Sequence, residues 1–65
     1  MGEIIKSYRN KRGYTQEELA EMIDISSRQL QRIENGVSIT KITTLKKVIN
    51  VLKIDDKDII KMIKD

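Results

Sequence analysis

The chain has 65 residues, 38% of them apolar and 35% charged, with three Gly, no Pro and a net charge of +3. That length makes one domain over 1–65, small enough to bury only about 60% of its unfolded surface, and the composition argues against disorder and against a loop-rich fold. The lack of Cys and His excludes disulfides, thiolate or imidazole metal sites and the commonest general base, while no apolar run nears the ~20 residues that span a bilayer and no signal-peptide core opens the chain. A cytoplasmic protein without metal or cofactor is expected.

Ile4, Ile5 and Tyr8 recur at helical spacing, and Arg9 follows Ile5 by four, so a first helix is predicted over about 3–12, closed by Gly13. Its basic end, Asn10-Lys11-Arg12, suits either a phosphate or the negative end of the helix dipole. Thr15 and Glu18 then form a T-x-x-E capping box, with Tyr14 placed to staple onto Leu19, so a second helix starts at Gln16. Ser26 and Gln29 repeat the pattern as S-x-x-Q, with Ile25 placed to staple onto Leu30, so a third helix starts at Ser27. Met22, Ile23, Asp24 and Ile25 leave room for a turn of only three or four residues, the spacing of a helix-turn-helix. Asp24 is the residue expected to bend.

At about 100° per residue, with Leu30 facing inward, Ile33 and Glu34 fall on the buried side of the third helix. Arg28 and Arg32 fall opposite, with Asn35 beside them and Gln31 at the flank. Two guanidiniums four residues apart, near amide side chains, suit an anion or a base edge.

Residues 37–40 form a short loop, and Ile42, Leu45, Val48, Ile49 and Leu52 then make the longest amphipathic stripe in the chain, expected as the core face of a fourth helix. Asp55 and Asp58 offer another cap and Ile54 a staple onto Ile59, which places a fifth helix over about 56–64. It carries Ile59, Ile60, Met62 and Ile63. Either all four are core, or some of them, Met62 or Ile63 first, serve a partner chain. The basic residues Lys6, Arg9, Lys11, Arg12, Arg28 and Arg32 all precede Gly36, whereas Asp55, Asp56 and Asp58 cluster late as helix N-terminal charges. The early end is the expected contact side.

With TQEELA at 15–20, Ile25-Ser26 and IENG at 33–36, the chain resembles the Cro/lambda-repressor-like (Xre) helix-turn-helix family over about residues 2–60. The resemblance implies an all-α, compact five-helix domain that binds double-stranded DNA sequence-specifically as a repressor-like transcriptional regulator, with the helix at about 27–35 in the major groove. It implies Ser27, Arg28 and Arg32 as base contacts, in keeping with the bidentate match of guanidinium to guanine. Gln29 either reads a base or closes its capping box, and the box is favoured. Gln16, Thr15 and Asn35 are implied as phosphate contacts, or else as caps and helix ends, and Lys41 joins them as the one cation near the loop. The family pairs an Arg with a Glu at the positions of Arg9 and Glu34, although Arg9 also suits a surface cation. Ala20 is the small residue that lets the two motif helices approach. A homodimer through the C-terminal helix, on an inverted-repeat operator, is implied by the family's use of paired half-sites. Two departures stand out: Asp24 occupies a turn position where Gly is usual, and 37–40 lacks the basic residues often found there. The second keeps open an alternative, a protein-binding or antitoxin-like module on the same fold. No triad or Gly-rich phosphate loop supports an enzyme.

Overall fold

The computed structural model describes residues 1–38 and 40–64; Ile39, in the loop expected at 37–40, and Asp65, at the end of the single domain, lie outside the described residues. Five helices follow one another: α1 (Gly2–Lys11), α2 (Gln16–Met22), α3 (Ser27–Glu34), α4 (Ile42–Leu52) and α5 (Asp56–Lys64).

Local chemistry sets these bounds. At α2 both halves of the capping box close, the Glu18 N–H donating to Thr15 Oγ1 at 3.1 Å and the Thr15 N–H to Glu18 Oε1 at 2.9 Å. At α3 only one half closes: the Gln29 N–H donates to Ser26 Oγ at 3.0 Å, while the exposed Gln29 side chain does not return to the Ser26 N–H. The favoured capping role of the Gln29 side chain is therefore corrected. Ser26 still satisfies one orphan donor of the helix through its own hydroxyl.

The helix ends share one device. After α1 the Tyr14 N–H reaches the Arg9 carbonyl (3.0 Å) across Gly13, and after α3 the Val37 N–H reaches the Arg32 carbonyl (2.8 Å) across Gly36, each glycine at positive φ. After α2 the Ile25 N–H reaches the Ala20 carbonyl (3.0 Å) across Asp24, whose φ is 62°. Asp24 thus makes the left-handed turn expected of it, at some steric cost that its short polar side chain tolerates. Lys53, at φ 52°, ends α4 in the same way without any glycine to announce it.

The core gathers Ile5 and Tyr8 from α1, Leu19 and Ala20 from α2, Leu30 and Ile33 from α3, Leu45, Val48 and Leu52 from α4, and Met62 from α5, with Ile23 and Ile54 in the connections. Full burial of one such aliphatic side chain is worth about 1.5–3 kcal/mol. Tight approach is visible at Gly2, where a Cβ would collide with the backbone carbonyls of Ile33 and Glu34. Two expectations fail at the edges of this core. Ile42 is 68% exposed, because it is the first residue of α4 and the inward stripe begins one turn later at Leu45. Met62 is 1% exposed and belongs to the core, so it is removed as an interface candidate; Ile60 (53%) and Ile63 (70%) point the other way. The four apolar residues of α5 thus divide between two faces, with Ile59 and Met62 inward, three residues apart.

α5 is tied to α1 by Tyr8. Its hydroxyl donates to Asp58 Oδ2 at 2.5 Å and accepts from the Asp55 N–H at 3.2 Å. The hydrogen bond to Asp58 raises the phenol above its ordinary pKa. Asp58, expected in a cap with Asp55, accepts from Tyr8, and the Asp58 and Ile59 amides bond the Asp55 carbonyl.

Candidate nucleic-acid interface

Burial of Leu30, Ile33 and Glu34 fixes the rotation of α3 and leaves Ser27, Arg28, Gln29, Gln31 and Arg32 exposed on its outer side. Ser27 occupies the first position of the helix, and Arg28 and Arg32 lie one turn apart. Arg32 Nε donates to Ser38 Oγ at 3.1 Å, whereas Arg28 has no hydrogen-bond partner among the described residues.

Behind this face runs a buried polar network. Arg9 clasps Glu34 with two donors, Nε to Oε2 at 2.7 Å and Nη2 to Oε1 at 3.2 Å, and its Nη1 donates to the Tyr14 carbonyl at 2.9 Å. Both residues are buried, so Arg9 is no surface cation here. Glu34 Oε1 accepts a third bond, from Gln16 Nε2 at 3.0 Å. One carboxylate thereby fixes α1, α3 and the start of α2 to one another. The Gln16 amide has two N–H donors and spends one on Glu34, so the other is available at the mouth of α2.

The remaining candidates lie at chain junctions. Thr15, the cap of α2, spends an oxygen lone pair on Glu18 and keeps its O–H to donate. Asn35 is exposed directly after α3, and Lys41 is exposed directly before α4. Arg12 spends part of its guanidinium within the domain. Its Nε and Nη2 donate to the carbonyls of Leu52 (2.8 Å) and Lys53 (3.2 Å), capping α4 where the dipole favours a cation. Lys11 is exposed and lies over the Tyr8 ring, its Nζ 5.8 Å from the centroid. Sequence reasoning missed both Ser38 and the role of Arg12, and neither carries a local signal beyond its residue type.

Two helices joined by a tight left-handed turn, the second offering a cationic face above a buried anchor, make a helix-turn-helix. A family model described as Helix-turn-helix (HTH_3) matches residues 5–59. The chain belongs to the Xre/lambda-repressor-like helix-turn-helix family. Solved structures agree. One similar structure is that of SinR, the master regulator for biofilm formation, in complex with DNA; it is 36% identical, with a TM-score of 0.77, over 85% of this chain and 92% of that one. Another is the complex of the SinR and SinI proteins, 31% identical with a TM-score of 0.76, over 98% of this chain and 75% of that one. No curated protein matches the chain significantly. Among the described residues no helix is long and apolar enough to cross a membrane.

Proposed function

We propose that this helix-turn-helix domain is a cytoplasmic, repressor-like transcriptional regulator that reads double-stranded DNA with α3 in the major groove. The observation that carries the reading is the division of α3, with Leu30, Ile33 and Glu34 buried and Ser27, Arg28 and Arg32 exposed along the outer side. The similar SinR structure, which holds DNA, supports the same partner. Arg28 and Arg32 supply guanidiniums that fit guanine O6 and N7 bidentately, and Ser27 adds a hydroxyl at the first turn. Thr15, Gln16, Asn35 and Lys41 contact phosphates and set the register without reading sequence. The domain pairs through α5 on an inverted repeat, with Ile60 and Ile63 as the apolar contact.

Base readers and phosphate contacts differ in what their loss does. Arg28→Ala and Arg32→Ala are each expected to lose about 1–3 kcal/mol of discrimination at one base position, while Gln16→Ala weakens specific and random duplexes alike. Titration of each variant against a panel of single-base operator variants checks this. An arginine whose loss leaves every base preference intact is not a reader.

A protein partner is the second reading, supported by the similar SinR–SinI complex and by the lack of basic residues at 37–38 and Thr40. The slope of duplex affinity against salt separates the two, because only bound phosphates release counterions.

A further inference from the structure

The backbone after α3 doubles back over the last turn of the helix. The Val37 and Ser38 N–H groups both donate to the Arg32 carbonyl, at 2.8 and 3.3 Å, and this brings the half-buried Ser38 within reach of the Arg32 side chain. Its Oγ accepts from Arg32 Nε at 3.1 Å. A guanidinium presents donors along two usable edges, and the contact to Ser38 occupies the Nε edge. Among the described residues neither Nη1 nor Nη2 of Arg32 has a partner, so the free edge is the terminal fork whose two parallel N–H groups match guanine O6 and N7.

We propose that Ser38 is a positioning residue, holding Arg32 by its Nε so that the Nη1/Nη2 fork is oriented before DNA arrives. This rests on the reading of Arg32 as a base reader. An unheld arginine gives up side-chain freedom when it docks on a base, and that loss weakens the contact. Arg32 has part of that freedom removed in the free protein. Arg28, four residues earlier and with no such partner among the described residues, is bound without this advantage.

The test has two arms. In the free protein, the Arg32 Nε–H is followed by NMR in wild type, Ser38→Ala and Ser38→Thr; its exchange with solvent is expected to be slowed in wild type and Ser38→Thr and to quicken in Ser38→Ala. On duplex DNA, Ser38→Ala is expected to lower the preference at the base lost in Arg32→Ala by about two- to tenfold, the span of one ordinary hydrogen bond. It should leave the base assigned to Arg28 unchanged, add nothing in the Arg32→Ala background, and be rescued by Ser38→Thr. Equal exchange in wild type and Ser38→Ala overturns the positioning role whatever DNA does. A Ser38→Ala protein that binds all duplexes more weakly by one common factor overturns it too, and marks Ser38 as a phosphate contact. If exchange responds to Ser38 while Arg32→Ala keeps every base preference, it is the reading of Arg32 that fails, and the positioning role falls with it.

Discussion

Glu34→Gln is expected to destabilise the domain by about 3–5 kcal/mol, the usual loss when one partner of a buried ion pair is removed. The Arg9 guanidinium stays buried with only the Tyr14 carbonyl as a full partner, and the amide that replaces the carboxylate cannot accept at both oxygen positions from Arg9 and also take the Gln16 donor. For a domain of this size such a loss is a large fraction of total stability. Urea unfolding of Glu34→Gln, Arg9→Met and the double variant measures it. The double variant should be less destabilised than the sum of the singles, because removal of both charges leaves neither stranded. Additive losses below about 1 kcal/mol would instead describe a surface pair. A functional consequence accompanies the stability loss. Glu34 also holds Gln16 at the start of α2, so Glu34→Gln should weaken binding to all duplexes even under conditions where the variant is fully folded.

Ile63→Asp is expected to lower operator affinity by about a hundredfold or more, since joining two half-site modules raises affinity by roughly that factor or beyond. Ile63 is 70% exposed and Ile60 lies three residues before it on the same side of α5. In the proposed dimer a carboxylate placed there would repel its own copy across the two-fold axis. Since the side chain is outside the core, folding stability should change by no more than about 0.5 kcal/mol. Met62→Asp behaves differently: it buries an unpaired carboxylate in the core and unfolds the domain rather than merely uncoupling it. Sedimentation with and without operator duplex distinguishes these outcomes. One wild-type chain per duplex at saturating protein, or cooperative pairing retained by Ile63→Asp, removes α5 from the interface.

What the sequence discloses about this fold is mostly what neighbouring residues decide between themselves. The starts of α2 and α3 were legible because Thr15 with Glu18, and Ser26 with the Gln29 amide, complete their bonds within four residues. The inward turn of Leu30, Ile33 and Glu34 follows from helical phase alone once Leu30 is placed. Phase gives direction, but it cannot say how far the core extends along a helix. That is why Ile42 was expected inside and lies outside, whereas Met62 and Ile63, consecutive and so about 100° apart, are separated by phase itself once Ile59 is placed inward. Contacts between distant residues left no local trace either. Tyr8 meets Asp58 fifty positions away, and Arg12 caps the carbonyls of Leu52 and Lys53 at the end of α4. Within the interface, residue type and helical face brought out Arg28 and Arg32, whereas the hold of Ser38 on Arg32 depends on the path of the backbone after Gly36.

The central claim is that the outer face of α3 reads bases in paired half-sites. Selection of bound sites from a pool of random duplex DNA at physiological salt, with the wild-type protein, tests it most directly. An inverted repeat is predicted, with half-site centres about 10–10.5 base pairs apart and at least one guanine in each half whose enrichment disappears when the selection is repeated with Arg28→Ala or Arg32→Ala. A bound pool indistinguishable in sequence from the starting pool would contradict the claim.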